Sequence, residues 1–191
     1  VEVNDTVRAS TLQHSNADAG KLTLTGGGTL TLTVGSNTIA LWAGAGLTIS
    51  GPTVSASTTG SGSDAVRVNQ GSFTMTGGKL TAIAAGAGAN GITAEENIAI
   101  SGTVEVTASG YRGLFAVGDI NISGGTVDAA GTGSSNPRAI VASGALNISG
   151  GSVTAGSASN TAITATGGVT VGDATLAVGE TGESKGVWGN L

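Results

Sequence analysis

The sequence predicts an all-β protein, a single-stranded parallel β-helix (solenoid) in which three short strands form each coil of about 22–26 residues and about seven complete coils stack. Three observations predict it. Apolar residues recur at one long spacing, they alternate with polar residues inside each segment, and glycine-rich breaks separate the segments. No segment shows the 3.6-residue periodicity of an amphipathic helix.

The first strand of each coil is marked by an apolar residue with a second apolar residue two positions later. This period of two points one face of the segment into the core. The first members of these pairs are Leu22, Leu47, Phe73, Ile98, Ile120, Leu146 and Val169. Their regular recurrence predicts that successive coils stack strand on strand in parallel.

The second and third strands give two further columns of apolar residues. We expect the second column to contain Leu30, Val54, Leu80, Val104, Val127, Val153 and Leu176. We expect the third to contain Ile39, Val66, Ile92, Leu114, Ile140, Ile163 and Val187. By alternation, the outward column of the third wall should contain Ala40, Arg67, Thr93, Phe115, Val141, Thr164 and Trp188.

The chain is interpreted as one β-helix domain over residues 1–191. Residues 1–20 are expected to form a partial N-terminal coil, residues 21–178 the regular coils and residues 179–191 a last partial coil. Because the sequence opens with Val1 rather than methionine, we expect a segment of a larger protein, with neighbouring domains of the same chain as partners.

Composition excludes several classes of function. Seven Lys and Arg against twelve Asp and Glu give a net charge of −5, which is opposite to the basic surface that nucleic acid requires. The absence of Cys excludes disulfides and thiol catalysis, and the single His14 excludes a multi-histidine metal centre. No apolar run approaches the ~18 residues of a membrane-spanning helix, so no membrane span is expected in this segment.

The repeat unit is clearest in INISGGTVDA (residues 120–129) and LNISGGSVTA (residues 146–155), followed by Ala139-Ile140 and Ala162-Ile163. It resembles the carbohydrate-binding-domain repeat family of bacterial surface and secreted proteins, which share the pectate-lyase-like architecture. The resemblance covers essentially residues 21–178. It implies a right-handed coil, a location outside the cell or on the bacterial surface, and a polysaccharide or host-cell glycan as partner.

The resemblance also implies calcium held by Asp residues at the corner before the third strand. In this sequence only Asp64 matches that position, since the equivalent residues include Asn90, Arg112 and Arg138. No resident cofactor other than calcium is expected. A second candidate calcium site comprises Glu95, Glu96 and Asp119 at the corner after the third strand, because loop carboxylates suit calcium.

The candidate ligand-binding residues lie on and beside the third wall. Phe115 and Val141 form an apolar stripe, Tyr111 and Arg112 lie in the segment entering that strand, and Arg67 adds a second guanidinium. The alternative is that this stripe packs against a neighbouring domain or against the variable loops.

Glu105 and Asp128 are expected to lie on consecutive coils with both side chains outward, about one strand spacing apart, with Lys79 on the preceding coil. This group is a solvated surface, a cation site or a catalytic site.

The leading hypothesis for function is a non-catalytic extracellular carbohydrate-binding or cell-surface adhesion module. The alternatives are a polysaccharide (pectate-type) lyase or its degenerate relative, using Glu105, Asp128 and Lys79, and a purely structural stalk.

Overall fold

The structure, a computed structural model, describes residues 1–14, 20–35, 37–158, 161–180 and 187–188. All regular structure within these ranges is β-strand. The strands are Thr6–Ala9 (β1), Leu12–His14 (β2), Leu22–Thr25 (β3), Thr29–Val34 (β4), Leu41–Ala43 (β5), Leu47–Thr58 (β6), Val66–Val68 (β7), Phe73–Ala84 (β8), Ile92–Ala94 (β9), Ile98–Gly110 (β10), Arg112–Ala116 (β11), Ile120–Gly131 (β12), Arg138–Ala142 (β13), Leu146–Ser157 (β14), Ile163–Ala165 (β15), Val169–Val171 (β16), Thr175–Glu180 (β17) and Val187–Trp188 (β18).

The strands form two parallel sheets, and successive strands of each sheet come from successive coils. The larger sheet runs in the order β1-β4-β6-β8-β10-β12-β14-β16, with β3 paired to β6 and β17 paired to β14. The smaller sheet runs in the order β18-β15-β13-β11-β9-β7-β5-β2. This arrangement confirms the predicted right-handed parallel β-helix of about seven turns.

The first apolar column is confirmed at every position. Strand pairing places Leu22 beside Leu47, and the column then continues through Phe73, Ile98, Ile120, Leu146 and Val169. None of these side chains exposes more than 5% of its surface. A coil cannot bury this face alone, so each winding depends on the coils above and below it.

The short strands predicted for the first and second walls are continuous with each other in part of the solenoid. In the central coils these walls are joined into single strands of 12 or 13 residues, as in Phe73–Ala84 and Ile98–Gly110. The backbone turns the corner inside the strand, through a local shift of register. Glycine permits this bend: Gly78 has φ +86°, and a Cβ there would collide with the carbonyl oxygen of Pro52. The third-wall strands β5, β7, β9, β11, β13 and β15 are three to five residues long, as predicted.

The second apolar column differs from the prediction in one coil. Val106, not Val104, pairs with Leu80 on one side and with Val127 on the other. The corner of this coil carries an extra residue, since five residues separate Ile100 from Val106. Val104 remains buried at the corner, where its side chain occupies the space that a Cβ on Gly125 would need.

The third column differs in the first complete coil. Leu41, not Ile39, pairs with Val66, and therefore Trp42, not Ala40, is the outward residue beside Arg67. Leu41 and Ala40 are both fully buried, whereas Ile39 is half-buried before the strand begins. Ile39 and Leu41 are two positions apart, so the alternation of apolar and polar residues is satisfied by either of them. The register is therefore selected by the burial of Leu41 against the neighbouring coil.

The first residues of the chain add a further winding at one end. In β1, Thr6 pairs with Thr29, and in β2, Leu12 pairs with Leu41. At the other end β17 pairs with β14 and β18 with β15. Most of the predicted last partial coil, residues 179–191, lies outside the described residues.

Candidate functional site

A cleft opens on the side of the solenoid where one coil is short. In this coil Tyr111 alone connects β10, which ends at Gly110, to β11, which begins at Arg112. The preceding coil uses residues 85–91 for the same connection and the following coil uses residues 132–137. Two longer loops therefore stand on either side of Tyr111 and leave a gap between them.

The cleft has a volume of about 660 Å³. It is lined by Ala85, Gly86, Ala87, Gly88, Tyr111, Thr132, Gly133, Ser134 and Ser135. Tyr111 is held from both neighbouring coils, because its N–H donates to the Ala89 carbonyl at 2.7 Å and its own carbonyl accepts from the N–H of Arg138 at 2.9 Å. One aromatic ring thus stands among small and hydroxyl-bearing residues, on a backbone fixed by the ladder.

Arg112 connects Tyr111 to the outer face of the third wall. Its guanidinium carbon lies 5.2 Å from the centre of the Tyr111 ring and 4.4 Å from the centre of the Phe115 ring. Both distances are within the range of a cation–π interaction. The structure therefore brings together three of the five residues predicted to bind a ligand.

The other two predicted residues contribute little to this cluster. Val141 is the strand neighbour of Phe115, but it is only 8% exposed and presents almost no surface to a ligand. Arg67 lies two coils away in the same outward column, with Thr93 between it and Phe115. Its guanidinium pairs with Glu95 at 2.8 Å and approaches Asp64 at 3.5 Å.

The predicted pairing of Glu105 with Asp128 is wrong, because Val106 occupies the second column in place of Val104, two residues earlier. Glu105 lies opposite Lys79 and Thr126, whereas Asp128 lies opposite Thr107. Glu105 forms a salt bridge with Lys79, and about half of each side chain is exposed. These residues line a shallow depression of about 560 Å³.

The carboxylates predicted as a second calcium site have other partners. Glu95 pairs with Arg67, and Glu96 accepts a hydrogen bond from the Ser72 hydroxyl at 3.2 Å. Asp119 accepts a hydrogen bond at 2.7 Å from the backbone N–H of Ala145. Within the ranges that the structure describes, no group of three or more His, Cys, Asp or Glu is placed to hold a metal ion.

Asp64 is buried at the corner before the third wall. Its Oδ1 accepts a hydrogen bond at 2.8 Å from the backbone N–H of Asn90, and burial raises the pKa of its carboxyl above the ordinary value of 3.8. Its other oxygen, Oδ2, has no hydrogen-bond donor but faces Arg67 at 3.5 Å. A calcium ion at this oxygen would have to share it with a guanidinium.

Two features of the site were missed in the sequence. Arg138 begins β13 directly beside Arg112 in β11, although Arg138 is not among the ligand-binding residues predicted from the sequence. The sequence does contain an indication of the cleft, because the spacing of 22 residues between Ile98 and Ile120 is the shortest between successive members of the first apolar column. A short coil between longer ones leaves a notch in a solenoid.

Comparisons with protein-family models, with curated proteins and with solved structures gave no match. The family resemblance of the repeat unit therefore stays a prediction. In the described part of the chain, no helix is long and apolar enough to span a membrane.

Proposed function

We propose that this chain is a non-catalytic carbohydrate-binding or adhesion module of a bacterial cell surface, and that it binds a glycan in the Tyr111 cleft. The observation that carries the proposal is the position of Tyr111 between the loops at 85–88 and 132–135. A tyrosine side chain offers an apolar ring face together with a hydroxyl group, which suits a sugar ring with its C–H and O–H groups.

The surroundings of Tyr111 support this use. Thr132, Ser134 and Ser135 supply hydroxyl groups on one side of the cleft, and Ala85 and Ala87 with two glycines leave room on the other. A concave site that combines an apolar surface with a few polar groups is the usual form of a binding pocket. The stacked guanidinium of Arg112 fixes the ring beside it and adds hydrogen-bond donors.

A lyase has less support from the geometry. Lys79 is engaged by Glu105, and Asp128 lies two residues further along its strand than Thr126, the residue opposite Glu105. An absorbance assay for release of unsaturated uronides, with and without calcium, tests that alternative directly. Sustained release of product would replace the proposed function.

The test of the proposal is glycan-array binding and retention on insoluble polysaccharides by wild type, Tyr111→Ala and Tyr111→Phe. Loss of a central aromatic contact is expected to weaken binding roughly 10-fold or more, whereas Phe keeps the ring and most of the affinity. Thr154→Ala, at an exposed position of β14, serves as the matched control and should bind as wild type does. Equal binding by wild type and Tyr111→Ala would exclude the cleft, and wild type that retains no glycan would favour a structural stalk.

A further inference from the structure

Two arginines begin neighbouring strands of the third wall. Arg112 in β11 and Arg138 in β13 are direct partners in the parallel ladder. Adjacent strands lie about 4.8 Å apart, and like charges placed directly opposite each other across strands are destabilising. A negative group beside such a pair would relieve this repulsion.

Within the described residues, the protein itself supplies no such group. The ion pairs there are those of Arg67 with Asp64 and Glu95, and of Lys79 with Glu105. No described carboxylate lies within ion-pair distance of Arg112 or Arg138. This is notable in a chain of net charge −5, where acidic residues outnumber basic ones.

The Nε atoms of both arginines are buried and have no hydrogen-bond partner. A buried N–H donor without an acceptor carries a desolvation cost, so neither guanidinium is fully satisfied by the protein. Because Arg112 and Arg138 begin neighbouring strands and no described carboxylate pairs with either, the exposed donors of their guanidinium groups are available to an oxyanion. Carboxylate and sulfate groups match the planar donor fork of arginine.

The pair borders the Tyr111 cleft. The Arg112 guanidinium stacks on the Tyr111 ring, and the backbone N–H of Arg138 donates to the Tyr111 carbonyl, which places the Arg138 backbone beside that residue. We propose that Arg112 and Arg138 form a subsite for an anionic substituent, a carboxylate or a sulfate ester, of the glycan that lies in the cleft. This proposal rests on the proposed function, because it names the class of glycan for that same cleft.

The first experiment measures affinity by isothermal titration in the presence of EDTA, so that no divalent ion bridges anion and protein. Oligogalacturonate is compared with its neutral methyl ester, and dextran sulfate with dextran. We expect the charged member of one pair to bind roughly 10-fold more tightly than its neutral counterpart. The pair that shows the difference identifies the substituent as carboxylate or sulfate.

Arg138→Gln is the informative variant, since Arg112 also holds two aromatic rings whereas Arg138 contacts no aromatic ring among the described residues. It should remove most of the preference for the charged glycan and leave affinity for the neutral one unchanged. Arg8→Gln makes the same charge change on an exposed strand and is the matched control. Arg138→Lys, which keeps the charge but loses the donor fork, should keep part of the preference. Circular dichroism establishes that each variant folds.

A second measurement separates the site from the function. The Nε–H resonances of Arg112 and Arg138 are followed by NMR during titration with methyl galacturonide and with inorganic sulfate. Saturable shifts of both resonances that do not occur with methyl galactoside would support the anion subsite. If these shifts occur but no polysaccharide is retained, the subsite stands and only the proposed function fails. Equal affinity for charged and neutral glycans, an Arg138→Gln variant that behaves like Arg8→Gln, or resonances that do not respond would each overturn the subsite.

Discussion

Asp119 Oδ1 accepts a 2.7 Å hydrogen bond from the backbone N–H of Ala145, which occupies the matching corner one coil further along the solenoid. The preceding corners repeat the arrangement. Asn97 Oδ1 accepts from the N–H of Asp119 at 2.8 Å, and Ser72 Oγ accepts from the N–H of Asn97 at 3.3 Å. Side chains thus continue the hydrogen-bonded stack across the corners between the third and first walls. The Asp119 carboxylate, predicted as a calcium ligand, has a structural partner in this stack.

This geometry predicts that Asp119→Ala destabilises the protein by about 1–2 kcal/mol, because a charge-assisted hydrogen bond is lost and the Ala145 N–H is left without its acceptor. Asp119→Asn keeps an acceptor oxygen and should cost less. The free energy of unfolding in urea measures both.

Asp128→Ala removes an exposed carboxylate and is the control, with an expected change within about 0.5 kcal/mol. If Asp119→Ala and Asp128→Ala prove equally mild, the corner bond has no energetic weight. Addition of EDTA to wild type distinguishes the alternative role, since a fall in unfolding temperature on chelation would show that the carboxylates hold a metal instead.

Asp64 predicts a specific dependence of stability on pH. Burial raises the pKa of its carboxyl in the folded chain above 3.8, so the native state binds this proton more tightly than the unfolded state does. The stabilising contribution is therefore complete below pH 3.8 and is lost as the pH rises through the folded pKa. Asp64→Asn keeps the Oδ1 acceptor for Asn90 and abolishes the titration.

Urea unfolding of wild type and Asp64→Asn from below pH 3.8 to neutrality checks this expectation. The difference in unfolding free energy should move in favour of the Asn variant as the pH rises. A difference that stays constant would mean that the Asn90 hydrogen bond and Arg67 balance burial, and one that moves in favour of wild type would mean that they outweigh it and hold the carboxyl charged.

Gly125 is predicted to be intolerant of any side chain. Its φ is +78°, and a Cβ there would collide with the Val104 side chain from the irregular corner of the preceding coil. Gly125→Ala should cost roughly 2–4 kcal/mol through backbone strain and overpacking. Gly156→Ala is the matched control, because a Cβ at Gly156 meets nothing within 4 Å and its φ is not positive. Thermal unfolding that is alike in the two variants would contradict the placement of Val104.

The sequence was sufficient to group Tyr111, Arg112 and Phe115, since adjacency along the chain places Arg112 beside Tyr111 and alternation places Phe115 outward. It was insufficient to separate Arg67 from Arg138. Arg67 lies in the outward column of the third wall and meets carboxylates on its own and the next coil, whereas Arg138 lies at the corner before that wall and is paired in register with another arginine. The partners of a side chain on a solenoid come from neighbouring coils, so they depend on register.

The sequence by itself determined the solenoid, its number of coils and the whole first apolar column, because glycine breaks and a period of two leave only one way to align those segments. Only the tertiary structure decided between Val104 and Val106, and between Ile39 and Leu41. Residues two positions apart point to the same face and satisfy the alternation equally well, so the choice belongs to packing against the coils on either side.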